Sequence, residues 1–189
     1  MKFNRLGNSD LQVSDVCLGT MTWGIQNTQQ DADEQIAFAL DKGVNFVDTA
    51  EMYPVPPNVD TYGDTERIIG NWISRNESKR SDIVLMTKIA GSGLKYIRNA
   101  GPITADAIAN ALTYSLERLK TDYIDVYQLH WPNRVTPHFG KHWPDGADPT
   151  NTNREKELDG MRDILLGIKR ALDEGKIRHW GLSDDTPWG

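Results

Sequence analysis

Five short apolar runs constrain this chain more than any other feature: Val16–Thr20, Val44–Ala50, Ile83–Ile89, Ile124–His130 and Ile177–Ser183. Their continuous apolarity suits strands buried on both faces of a parallel sheet rather than strands with one wet face. Between them lie stretches with helical periodicity. Asp31–Lys42 has Asp31 and Glu34 at capping-box spacing and stops at Gly43. Thr65–Arg75 sets Ile68, Ile69, Trp72 and Ile73 on one face, and Thr104–Leu119 does the same with Ile108, Leu112, Leu116 and Leu119. Leu158–Glu174 repeats the pattern before Gly175. Ahead of these units, Phe3–Val13 reads as a hairpin around the turn-forming Gly7-Asn8-Ser9-Asp10. Strand and helix alternate, so the class is α/β.

Five such units do not close an eight-stranded barrel, and the chain stops at Pro187-Trp188-Gly189, where a further helix is expected. The reading is therefore the N-terminal part of a (β/α)8 barrel: a hairpin plus five βα units, one domain over residues 1–189, truncated at its C-terminus. An open doubly wound sheet is the alternative, since five strands suffice for it. Trp131–Lys156, with four prolines and two glycines, reads as a long loop.

The ends of the strands decide for the barrel. Four of the five runs finish in Asp48, Lys88, His130 and Ser183. In parallel barrels the active site lies at this C-terminal edge and draws on several strands. A Lys and an Asp that end apolar runs are costly to bury unless they pair. Tyr53 comes soon after the second run, and carbonyl reduction needs a neutral acid to protonate the developing alkoxide. An ammonium about 4 Å from a phenol favours phenolate by up to ~4 kcal/mol at an effective dielectric of 20, so Lys88 is expected to lower the Tyr53 pKa. Asp48 would keep Lys88 charged, and His130 would orient a carbonyl oxygen.

Composition narrows the partners. With 189 residues, a net charge of −6 and no Lys/Arg cluster interleaved with aromatics, nucleic acid is an unsuitable partner. No apolar run approaches the ~20 residues of a membrane span, and the single Cys17 forms no intrachain disulfide, which together suggest a cytoplasmic setting. Cys17, between Val16 and Leu18, is expected to be buried and inert. Gly91-Ser92-Gly93 has Tyr96 where a dinucleotide fingerprint needs glycine. His138 and His142 lie among Pro137, Gly140 and Pro144, a poor setting for helical metal ligands. Asp125 reads as a structural hydrogen-bond partner, and His179 as a surface residue.

The motifs Gly19-Thr20-Met21-Thr22, Val47-Asp48-Thr49-Ala50-Glu51-Met52-Tyr53, Met86-Thr87-Lys88 and Lys120-Thr121-Asp122-Tyr123-Ile124-Asp125-Val126-Tyr127-Gln128-Leu129-His130-Trp131-Pro132 resemble the aldo-keto reductase family in order and spacing. The run Ala50–Pro57 and Gly70-Asn71-Trp72 are most similar to its Tas-like bacterial branch. The resemblance implies a barrel of aldo-keto reductase type, NADPH as cofactor, no metal, a small carbonyl substrate, and a tetrad of Asp48, Tyr53, Lys88 and His130. It also implies that Thr20, Met21, Gln26 and Asp48 lie near the nicotinamide ribose and Ser183 and Asp184 near the carboxamide, with Trp23 and Trp131 lining the substrate pocket. Asp184 stands where the family has Asn, so it can accept from the carboxamide but cannot donate to it. The family's phosphate contacts come from later strands. Two other functions remain open on the residues: a Schiff-base aldolase or lyase using Lys88, and a cofactor-binding redox sensor with little turnover.

Overall fold

The computed structural model describes residues 1–134 and 153–185. A hairpin of β1 (Phe3–Arg5) and β2 (Gln12–Ser14) precedes five parallel strands in the order β3 (Cys17–Gly19), β4 (Phe46–Asp48), β5 (Val84–Ile89), β6 (Ile124–Leu129) and β7 (Ile177–Leu182). Helices α1 (Gln29–Asp41), α2 (Asp64–Arg75), α3 (Ala105–Leu119) and α4 (Arg154–Asp173) make the crossovers. Sequence order and spatial order coincide along the sheet, as in a winding barrel wall, whereas a doubly wound sheet reverses direction at a switch point.

Side-chain alternation divides the interior. Val47, Leu85, Ile89, Tyr127 and Leu129 pack outward against Ile69, Trp72, Ile73, Ile108, Leu112, Ile164 and Ile168 of the helices. Phe46, Val84, Met86 and Val126 face the other way and meet Leu6, Leu11 and Val13 of the hairpin. The hairpin thus covers the inward face near the strand N-termini and leaves the opposite edge to polar residues. β5 and β6 are buried almost throughout, while β3 and β7, at the ends of the sheet, are half-exposed because each has one strand neighbour.

Several local expectations are corrected. The cap of α1 is Thr28, not Asp31. Thr28 accepts from the Asp31 backbone, and the Asp31 carboxylate accepts from the Thr28 N–H, which places the capping box one turn earlier than the apolar pattern suggests. Helix α4 starts at Arg154 behind an Asn153 cap, four residues before Leu158, because its first turn is charged and carries no apolar signal. The helix takes in the last three residues of the predicted loop, Arg154, Glu155 and Lys156; residues 135–152 of that loop, with His138 and His142, and Pro187-Trp188-Gly189 lie outside the described residues. Cys17 is exposed, since β3 is an end strand. Asp125 is a buried acceptor for Arg80, Arg178 and the Leu85 N–H, with both guanidiniums stacked on Tyr123. His179 is partly exposed and bonds Asp10 of the hairpin at 2.9 Å. Gly70 lets α2 approach the end of α3, where an added Cβ would lie 2.0 Å from the Arg118 carbonyl oxygen.

Candidate active site

The inward rows that start with apolar residues end in the candidate chemistry. Phe46 leads to Asp48, Val84 and Met86 lead to Lys88, and Val126 leads past Gln128 to His130, all by steps of two residues. The parallel register sets Asp48 beside Met86 and Lys88 beside Gln128, so the three polar groups share one edge. Lys88 and His130 are buried there. The Lys88 ammonium donates to Asp48 Oδ1 at 2.5 Å and to the Thr49 carbonyl at 2.8 Å. Pairing offsets the cost of burying both charges.

Tyr53 arrives from the turn after β4, whose shape is fixed by the Tyr53 N–H on the Ala50 carbonyl and the Gly63 N–H on the Tyr53 carbonyl. Its ring lies 5.0 Å from Lys88 Nζ and meets the His130 ring edge-on, 5.7 Å between centroids at 77°. The Trp131 indole comes next at 5.1 Å from His130. The four residues of the expected tetrad, drawn from three strand ends and one turn, therefore meet at one place.

The electrostatics differ from the sequence reading at Tyr53. Its phenol is pushed up to about 12, by burial first and then by the negative charges of Asp48 and Asp184. Burial and these two carboxylates outweigh Lys88, whose ammonium is already paired with Asp48. Burial, followed by the Lys88 charge, pushes His130 down to about 3, so its imidazole is neutral at ordinary pH.

The predicted cofactor and pocket residues divide. Met21 and Gln26 are exposed in the turn after β3, and Ser183 and Asp184 come after β7 at the same edge, with the Ser183 N–H on the Leu129 carbonyl. Asp184 adopts a left-handed backbone with φ of 45° and lies near enough for its charge to act on Tyr53. Thr20 is corrected: it is fully buried, and its hydroxyl donates to the Asp48 carbonyl at 2.8 Å, so it fixes the strand end rather than facing a ligand. Trp23 is also corrected, since it is fully buried in the helix-side core with its indole N–H on Gln35 Oε1 at 2.9 Å. Trp131 stays with the site. It packs with Ala50, Met52, Ala90 and Ile97 and donates to the Ser92 carbonyl at 3.1 Å. The Gly91-Ser92-Gly93 segment is its seat, because a Cβ on Gly91 would lie 2.2 Å from the indole nitrogen.

Two buried carboxylates near the site were missed. Glu66 is fully buried and accepts from Thr87, the neighbour of Lys88, and from Ser115 and Arg118. A glutamate on the buried face of α2 was a signal available in the sequence. Glu51 accepts from the Ala90 N–H and from Arg98, and burial raises its pKa. Arg98 lies 47 residues away, so local spacing held no hint of the pair.

Comparison with known proteins agrees with this geometry. The aldo/keto reductase family model matches residues 15–189. Protein tas of Escherichia coli is 42% identical over 195 residues, covering 100% of this chain and 54% of that protein. An uncharacterized oxidoreductase of Bacillus subtilis, YrpG, is 38% identical over 72% of the chain and 42% of its own length. The chain spans about half the length of these curated relatives. Among solved structures, the holo form of an aldo-keto reductase from Bacillus halodurans superposes with a TM-score of 0.69 at 28% identity, over 97% of this chain and 50% of that one. A thermostable aldo-keto reductase solved with the inhibitor epalrestat gives 0.68 at 24% identity, over 100% and 56%. The strands thus form the N-terminal part of an aldo-keto reductase barrel.

Proposed function

This chain belongs to the aldo/keto reductase family, and on that premise we propose that it reduces aldehydes or ketones to alcohols with NADPH, in the cytoplasm, using Tyr53 as the proton donor. The observation that carries this reading is the packing of the Tyr53 ring beside the Lys88–Asp48 pair and against the edge of a neutral His130. Exposed Met21, Gln26 and Asp184 and half-buried Ser183 stand at that edge and would hold the nicotinamide end of the cofactor. When bound, the reduced nicotinamide supplies the hydride.

The chain's own residues account for the proton. As negative charge grows on the carbonyl oxygen, a neutral phenol that keeps its proton in the resting state can release it to the far more basic alkoxide. Burial of Tyr53 and the nearby carboxylates favour the protonated phenol before reaction. Lys88 then stabilises the phenolate that forms, since its ammonium already faces the ring and Asp48 keeps it in place. Neutral His130 can donate one hydrogen bond to the same oxygen and orient the carbonyl. A Schiff-base role is disfavoured, because an ammonium held by Asp48 and Thr49 has no electron pair for attack.

The test is Tyr53→Phe in a protein that carries the complete barrel, with turnover read by NADPH consumption on an aromatic aldehyde and binding read by cofactor fluorescence. Turnover is expected to fall about 10²–10⁴-fold with cofactor affinity nearly unchanged. Turnover within about tenfold of the unmodified chain would overturn the assignment.

A further inference from the structure

We propose that Glu51 and Arg98 form a positioning latch that ties the Tyr53 turn to the loop after β5 and thereby seats Trp131 beside His130. The kinetic part of this inference rests on the reductase reading above. Glu51 is buried and stands between Asp48 and Tyr53 in the chain. One of its oxygens accepts from the Ala90 N–H at 2.6 Å, and its carboxylate takes Arg98 Nη1 at 2.8 Å. The same guanidinium donates through Nη2 to the Ala90 carbonyl at 2.5 Å, which closes a ring of Glu51, Ala90 and Arg98. Both peptide groups that flank Ala90 are held in this way, by a planar fork suited to bridging two acceptors.

The ring matters because of the segment it fixes, from Gly91 to Ala100. Gly91 and Ser92 are the seat of the Trp131 indole, and Ile97 packs in the same cluster. Arg98, Asn99 and Ala100 have φ values of 45°, 54° and 60°, three consecutive left-handed residues that carry side chains. Such a run is disfavoured for L residues and persists only when something else fixes it. The Arg98 guanidinium is anchored at that point. Without Glu51 the anchor loses its charged partner, the left-handed turn relaxes, and the seat of the indole shifts with it. The latch is expected to act on substrate placement rather than on proton transfer, because the Glu51 carboxylate and the Arg98 guanidinium bond Ala90 and each other, whereas the Lys88 ammonium bonds Asp48 and Thr49.

The experiment compares, in a protein that carries the complete barrel, the unmodified form with Glu51→Gln, Arg98→Met and the double variant. Gln keeps the size of Glu51 but turns an amide donor toward a guanidinium, and Arg98→Met retains the apolar stem should Glu51→Gln fail to fold. Each single variant is expected to raise KM for an aromatic aldehyde about tenfold while kcat changes less than about threefold, and the double variant adds little, as for two halves of one contact. The second readout needs no activity. In ¹⁵N-labelled protein the Trp131 indole resonance, assigned by its loss in Trp131→Phe, is expected to shift and exchange faster in both variants, while that of core Trp72 holds. An unmoved Trp131 signal in a folded variant, or equal changes at Trp131 and Trp72, would overturn the latch. Absence of aldehyde reduction in the unmodified complete-barrel protein would overturn the reductase reading instead and leave the indole measurement to decide the latch.

Discussion

Burial of His130 is expected to make this protein acid-labile in a way that one substitution can isolate. The folded imidazole takes a proton near pH 3, pushed down from 6.5 by burial and then by Lys88. The unfolded imidazole takes it near 6.5, so between these values the unfolded chain binds more protons and stability falls as the pH is lowered. The contribution is whole above 6.5 and is lost progressively down to about 3. Each pH unit in that window costs about 1.36 kcal/mol, so acidification from about pH 7 to about pH 4 removes roughly 3 kcal/mol, a large share of a typical domain's 5–15. The side chain is almost fully buried, so solvent screening gives little discount. Urea unfolding of the unmodified chain and of His130→Gln, monitored by circular dichroism at several pH values, measures the difference directly. The other ionisable groups are common to both proteins, so their contributions cancel. Parallel loss of stability in the two proteins, within about 1 kcal/mol, would refute the neutral, desolvated histidine and the hydrogen-bonding role built on it.

Three further outcomes are expected. Gly91→Ala places a methyl 2.2 Å from the Trp131 indole nitrogen, so it is expected to destabilise by about 1–3 kcal/mol and to redshift Trp131 fluorescence, read against Trp131→Phe. Asp125→Ala leaves Arg80 buried without its carboxylate and is expected to cost about 3–5 kcal/mol in denaturant unfolding, with the site's chemistry untouched. Although the surface of Cys17 is exposed, the atoms packed around its sulfur and the Asp48 charge push the thiol up to about 12. Alkylation by iodoacetamide at neutral pH is therefore expected to run at least about tenfold slower than for a free thiol of pKa ≈ 8.5, and to quicken in Asp48→Asn.

The amino-acid sequence by itself determined the strand and helix order and the shared edge of Asp48, Lys88 and His130. Both come from local periodicity: apolar runs set the strands, and steps of two put Lys88 on the row of Val84 and Met86. It also determined the family, because the motifs around Tyr53 and His130 keep their spacing. Tertiary structure alone decided what each polar group does. Thr20 and Trp23 sit in motifs that suggest a ligand, yet packing turned one into a brace for Asp48 and the other into core. The Tyr53 pKa moved up rather than down, because burial, the neighbouring Asp48 and the sequence-distant Asp184 outweigh a lysine whose charge is already paired. The Glu51–Arg98 ring joins residues 47 positions apart through the backbone of a third segment. Desolvation and long-range charge depend on which surfaces meet in space, and periodicity reports only which residues share a face.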